Sequence, residues 1–148
     1  MTPKQKLHAR CVIILEEKIS TAQKAMGSAH ESMLGETKSS AGDKFETSRA
    51  MLQGEQDRMK GMLIKHKEMA YNLSKLPLDE HSIIQSGSLI ETDSQSFFIA
   101  IGLGKVSEDN KTYYVISLAS PLGQLLQHKQ AGDSVVMNGR SITIQHVS

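Results

Sequence analysis

Along the first 76 residues, apolar side chains recur with a helical period. Val12, Leu15, Ile19, Ala22, Met26, Ala29 and Met33 are spaced alternately three and four apart. That spacing puts them on one stripe of a helix, an a/d seam held over three heptads. A second seam runs Phe45, Ser48, Leu52, Glu55, Met59, Met62, His66, Met69, Leu73 and Leu76, with polar interruptions at Ser48, Glu55 and His66. Between the seams, Gly35-Glu36-Thr37-Lys38-Ser39-Ser40-Ala41-Gly42 offers Gly and Ser but no large apolar side chain, which marks a turn. Two helices of similar length joined by a short polar turn predict an antiparallel α-hairpin. Each arm has about 30 residues and, at ~1.5 Å per residue, a length of roughly 45–50 Å.

After Pro77 the period drops to two. Residues 88–92, 96–101, 112–117, 134–137 and 141–145 are short runs rich in β-branched or aromatic side chains and bounded by turn residues. Asp109-Asn110 and Asn138-Gly139 are hairpin-turn signals, because these residues tolerate positive φ. Ser120-Pro121 followed by Leu122-Gly123-Gln124-Leu125-Leu126-Gln127 predicts one short helix, capped by Ser120 with Pro121 in its first turn. The fold class is therefore α+β. An N-terminal antiparallel coiled-coil hairpin spans residues 1–76, with its tip near 35–46, and a small antiparallel β-rich domain with one short helix spans 77–148.

Composition sharpens this picture in three places. Of 148 residues only 39% are apolar and 4% aromatic, which suits a small core joined to an elongated helical part. Apolar runs such as Cys11 to Leu15, five residues, are far short of the ~20 residues of a membrane span. The amino terminus lacks a signal-peptide pattern, and the lone Cys11 has no partner for an intrachain disulfide. A soluble, monomeric, cytoplasmic protein is expected. Net charge is +4 over residues 1–76 and −3 over 77–148. The basic half reads either as a surface for an anionic partner or as a solvated helical face.

Few residues carry catalytic chemistry. Gly-x-Ser-x-Gly is absent, and Gly102-Leu103-Gly104 completes neither a P-loop nor a dinucleotide fingerprint, so it reads as a strand end. The His residues at 8, 30, 66, 81, 128 and 146 form no Cys/His cluster, and Cys11 beside Val12 reads as a packing residue. The aromatic pairs Phe97-Phe98 and Tyr113-Tyr114 lie on strands, where alternation sends one of each pair inward as core. Asp43 and Glu46 stand out. At i and i+3 they share a helix face. The pattern Asp-x-x-Glu at a helix start is also a capping box, and the cap reading and a functional reading are compatible.

The hairpin with Gly42-Asp43-Lys44-Phe45-Glu46 at its tip resembles the bacterial Gre transcript-cleavage factors, GreA/GreB-like. Ile116 to Gly123 followed by Leu125-Leu126, Lys129, Gly132 and Asp133 is similar to that family's carboxy-terminal signature, with the same Ser-to-Asp spacing. The resemblance covers nearly the whole chain. It implies an FKBP-like second domain that docks at the rim of the secondary channel of RNA polymerase, with Ser120, Pro121, Leu122 and Gly123 as the motif of that docking domain. It implies a cytoplasmic regulator of transcription elongation, of the DNA-binding class, whose hairpin enters the channel. There Asp43 and Glu46 would help hold a second Mg²⁺ and a water while the polymerase cleaves backtracked RNA near its 3′ end. The chain would then be no enzyme by itself and hold no cofactor of its own, the Mg²⁺ being shared with the polymerase.

On this resemblance Lys38, Lys44 and Arg49 beside the tip, and Arg58, Lys60, Lys65 and Lys67 further along the second helix, would meet nascent RNA and acidic channel walls. The chain departs from the family pattern at Arg49, where a third acidic residue is common, at Ala50, where an aromatic is common, and at His128, where the family has Gly. Relatives with altered tips occupy the same channel and inhibit or regulate without cleaving. Two further readings are a prolyl isomerase or chaperone, and a coiled-coil adaptor with no nucleic-acid role.

Overall fold

A computed structural model describes the backbone of residues 1–38 and 42–148 and the side chains of 1–28 and 47–148. Helices α1 (Pro3–Lys38) and α2 (Gly42–Ser74) come first. Thr2 opens α1 with a reciprocal cap: Gln5 N–H donates to Thr2 Oγ1 at 3.1 Å, and Gln5 Oε1 accepts from Thr2 N–H at 3.0 Å. Pro3 follows in the first helical turn, where its missing N–H costs nothing.

Among the seam residues whose side chains are described, Leu15 and Ala22 are buried on α1, and Val12, Ile19 and Met26 are half-buried. The buried stripe begins earlier than the heptad pattern, with Leu7 and Cys11. On α2, Leu52, Met59, His66 and Met69 are half-buried and Leu73 is buried. Two seam positions differ from the expectation. Glu55 and Met62 are exposed, and their neighbours Gln56 and Leu63 are half-buried instead. One residue is a ~100° rotation of the helix, and the shift keeps the Glu55 carboxylate in water, where desolvation costs nothing.

The second half is a six-stranded sheet with one helix. Its strands are β1 (Leu89–Thr92), β2 (Ser96–Ile99), β3 (Gly104–Glu108), β4 (Lys111–Ile116), β5 (Ser134–Met137) and β6 (Arg140–Val147), and α3 (Pro121–Leu126) lies between β4 and β5. The strand order is β3-β4-β2-β1-β6-β5. The sheet is mixed rather than wholly antiparallel, because β2 and β4 pair in parallel. The chain leaves β2, lays β3 at the edge, and returns as β4 in the gap between them, which forces β4 to run alongside β2 in the same direction. Strand β3 is absent from the sequence-predicted strands. It carries one β-branched residue, Val106, whose side chain is the one it buries.

Both expected turns are present. Asp109 and Asn110 have φ of 49° and 61°, and Asn138 and Gly139 have 52° and 77°. Positive φ at both central residues matches the right-handed twist of the flanking strands.

The aromatic expectation is corrected. Phe97 and Phe98 are both buried, as is Tyr113, while Tyr114 is partly covered. The reason is that both faces of the sheet are covered. One face packs with α3: Ile84, Ile90, Phe97, Ile99, Leu126, Val135, Ile144 and Val147 form a core against which Tyr114 and Ile116 pack. The other face buries Leu89, Phe98, Val106, Tyr113 and Val115. Residues 1–12 and 71–148 form one compact unit, within which Leu7, Cys11 and Leu73 are buried. Full burial of a side chain such as Phe98 contributes roughly 2–3 kcal/mol.

Polar contacts fasten the start of α1 within this unit. Arg10 Nε meets Glu108 Oε2 at 2.8 Å, Lys6 Nζ meets Asp109 Oδ2 at 3.2 Å, and Lys4 Nζ donates to Asp79 O at 2.8 Å. His8 Nε2 lies 2.8 Å from Leu73 O. A carbonyl only accepts, so that nitrogen carries the proton. The exposed ion pairs of Lys6 and Arg10 contribute at most ~1 kcal/mol each, so they set the position of the helix more than its stability. Residues 13–70 form the second compact unit, the hairpin arms.

Candidate functional site

Asp43, Glu46, Lys38 and Lys44 have side chains outside the described residues. Their backbone places them in helices: Lys38 is the last residue of α1, and Asp43, Lys44 and Glu46 belong to the first turn and a half of α2. Helical periodicity therefore sets Asp43 and Glu46 on one face of α2, three residues apart. Two carboxylates are hard oxygen donors of the type Mg²⁺ takes, but they are too few to hold it without further ligands. Among the described residues no group of three or more His, Cys, Asp or Glu side chains could hold a metal ion.

The basic residues of α2 divide into two rows. Arg49, Arg58, Lys60, Lys65 and Lys67 are all exposed. At ~100° per residue, Arg49, Lys60 and Lys67 share one side of the helix, and Arg58 and Lys65 lie nearly opposite. The structure therefore does not gather the five into one patch.

The Ser120-Pro121-Leu122-Gly123 motif is a tight helix start. Ser120 Oγ accepts from Gly123 N–H at 3.0 Å and donates to Ser117 O at 2.7 Å. Pro121 opens the helix. Gly123 is required by space: a Cβ there would lie 2.3 Å from Ser117 O and 2.9 Å from Leu118 O. Every residue of the motif thus has a folding role, which brings α3 hard against the preceding loop. Leu126 and Gly123 face inward, and Leu125 is 39% exposed. Ile83, 40% exposed, bridges to Gln130 just beyond α3. These two apolar side chains flank the motif and were not singled out by the sequence. Only their exposure, which the pattern of residue types does not encode, distinguishes them.

His128 occupies a left-handed position with φ of 69°. Its N–H donates to Ile84 O at 3.0 Å, and Ile84 N–H donates to Lys129 O at 2.9 Å, so the turn after α3 is clamped to the chain before β1. A left-handed conformation costs a residue with a Cβ about 1–2 kcal/mol, part of which Gly would lose again to its greater unfolded-state freedom. His128→Gly is expected to raise stability by about 0.5–1 kcal/mol, and a β-branched Val there to lower it. Denaturant melts of the two variants check both signs.

Cys11 is buried, and burial pushes its thiol up to about 11. It stays protonated near neutral pH and acts as a packing residue. No helix is long and apolar enough to cross a membrane among the described residues.

No protein-family model matches the chain, and no curated protein matches it. Solved structures do. GreA factor homolog 1 (Gfh1) of Thermus thermophilus is 17% identical, over 93% of this chain and 94% of that one, with a TM-score of 0.40. A structure of the transcription factor Gfh1 is 18% identical over 92% of each chain, with a TM-score of 0.38. Gfh1 of Thermus aquaticus is 18% identical over 90% of each, with a TM-score of 0.35.

Proposed function

We propose that this chain is a transcription elongation factor that binds RNA polymerase through its secondary channel. Its hairpin reaches toward the active centre, and its sheet domain docks at the rim. The supporting observation is the pairing of two sequence motifs with two structural settings. Gly42-Asp43-Lys44-Phe45-Glu46 begins the second arm of a long hairpin, and Ser120-Pro121-Leu122-Gly123 forms a tightly seated helix start on the sheet domain. A helix of 36 residues has a length of ~54 Å, enough to span a deep channel.

In this reading Asp43 and Glu46 orient a water and share a Mg²⁺ whose remaining ligands belong to the polymerase. That ion supplies charge neutralisation at the scissile phosphate. The chain alone is not an enzyme, because two carboxylates on a helix cannot complete a metal site. The exposed Leu125 and Ile83 beside α3 provide apolar contact at the docking surface. The test is to add the chain to a backtracked elongation complex with Mg²⁺ and follow RNA length. Shortening from the 3′ end is expected.

A second reading rests on Arg49 and Ala50, which stand where the resembling family carries an acid and an aromatic. A cationic residue just past the acidic pair weakens the local field for Mg²⁺. Here the chain occupies the channel and blocks extension without cleavage. RNA extension in the same assay separates the two.

The basic residues give a further expectation. Neutralising Lys44 and Arg49 together should weaken binding to the elongation complex about 5–20-fold at ~50 mM salt and have little effect at ~0.5 M, where the Debye length is only a few ångströms. Affinities of the double variant measured at both salt levels check this. Equal affinities for variant and parent at low salt would leave the two residues as a solvated face.

A further inference from the structure

A cleft of about 740 Å³ lies on the sheet face opposite α3, and no residue of the hairpin tip or of the docking motif lines it. Its floor is β1, β4 and β6, and its far wall is the start of α1 with residues 78 and 80. The volume falls in the range of small-molecule sites, ~300–1,000 Å³. The proposed function uses none of the residues around it.

The lining carries two ammonium groups and two carboxylates, and part of its hydrogen-bonding capacity is not met by protein groups among the described residues. Lys4 is 4% exposed, yet its ammonium has one acceptor, Asp79 O at 2.8 Å, so two of its N–H groups lack a protein acceptor among the described residues. Burial lowers its pKa from the ordinary lysine value, and the nearby Asp79 and Glu80 carboxylates pull it back up. A buried ammonium with spare donors is a costly arrangement that an incoming anion relieves. On the sheet side, Lys111 Nζ is bound to Glu91 Oε1 at 2.6 Å and sits 5.4 Å from the centre of the Tyr113 ring. Glu91 Oε2 has no protein donor among the described residues. Opposite Glu91 on β6 stands His146, which after Lys111 helps hold the Glu91 carboxyl below its ordinary range. Leu89 and Tyr113 supply the apolar part.

Two ammonium groups and two carboxylates around one cleft disfavour a ligand of single charge: a dianion meets Glu80 and Glu91, and a cation meets Lys4 and Lys111. We infer that the cleft binds a small zwitterion, an amino acid or the equivalent with an apolar side chain. Its carboxylate meets Lys4, its ammonium meets Glu91 and Glu80, and its side chain lies against Leu89 and Tyr113. Such a ligand fills the unmet donors and acceptors on both walls at once, and its net charge of zero matches the lining.

The test is an amide chemical-shift titration of the full chain with L-leucine. N-acetyl-leucine, which keeps only the carboxylate, and leucinamide, which keeps only the ammonium, serve as controls. Saturable shifts centred on residues 89–91, 111–113 and 146 are expected, with each control binding at least tenfold more weakly. Glu91→Gln should weaken L-leucine at least fivefold while leaving the spectrum folded. Lys4→Met should abolish binding, and Glu91→Gln carries the test should Lys4→Met fail to fold. Shifts that do not saturate, a control that binds as well as L-leucine, or a Glu91→Gln variant with unchanged affinity would each overturn the assignment.

Discussion

Asp43→Asn and Glu46→Gln should each reduce RNA shortening in a backtracked elongation complex by orders of magnitude and leave the melting temperature within about 2 °C of the parent. The two halves of this expectation separate the roles these positions can have. A helix cap needs an oxygen acceptor, and Asn caps about as well as Asp. Gln in place of Glu46 keeps the reciprocal bond that a capping box with Asp43 would make. Neither replacement should therefore disturb the start of α2. A shared Mg²⁺ needs anionic oxygen, and the amide removes it while keeping the shape. Binding to the polymerase should persist, because the seams and the sheet domain are untouched. A variant pair that shortens RNA at the parental rate confines Asp43 and Glu46 to capping.

Gly123→Ala should destabilise the unit of residues 1–12 and 71–148 by about 2–4 kcal/mol, a fall in melting temperature of roughly 10–20 °C. The added Cβ would meet Ser117 O at 2.3 Å and Leu118 O at 2.9 Å, and both are backbone atoms that cannot rotate away. Relief requires α3 to move off the preceding loop, which also disturbs Leu126 in the core. Ser120→Ala removes only the cap and should cost about 1 kcal/mol. The graded pair is informative for function. If α3 is the docking element, Gly123→Ala should lose polymerase binding at temperatures where the sheet domain is still folded, and Ser120→Ala should lose little. Thermal unfolding followed by circular dichroism, with binding measured below the transition, reads both. A fall of less than about 1 kcal/mol for Gly123→Ala would contradict the packing described here.

Some of this architecture was legible because it rests on local rules. The two-residue turns at Asp109-Asn110 and Asn138-Gly139 follow from residue types that accept positive φ. The start of α3 follows from Ser120 and Pro121, and the order of two long helices followed by strands follows from the change of period near Pro77. What escaped the sequence is tertiary. Alternation on strands tells which residues share a face but not whether the second face is covered. One residue of each pair, Phe97-Phe98 and Tyr113-Tyr114, was therefore expected outward, whereas the second face is buried as well. β3 was missed because an edge strand needs little apolar content, and Val106 is its one buried side chain. The parallel pairing of β2 and β4 depends on where the chain returns, which hydropathy does not encode. On α2 a strict heptad placed Glu55 and Met62 on the seam, and the helix instead turns Gln56 and Leu63 toward it.

The candidate site divides in the same way. The acidic pair and the Ser-Pro-Leu-Gly motif are sequence patterns with a chemical reason behind each residue. The apolar side chains Leu125 and Ile83 beside α3, and the half-satisfied Lys4 above the sheet, are visible only once the chain is folded.

The central claim is that the hairpin tip reaches the polymerase active centre. The most direct measurement is photo-crosslinking from a probe at Ser40, which lies in sequence between α1 and α2 and outside the proposed chemistry, in a backtracked elongation complex with labelled nascent RNA. Crosslinks to the RNA 3′ end are expected that vanish when the complex is not backtracked and that survive Asp43→Asn. Crosslinks confined to the outer surface of the polymerase, or none at saturating chain, would contradict it.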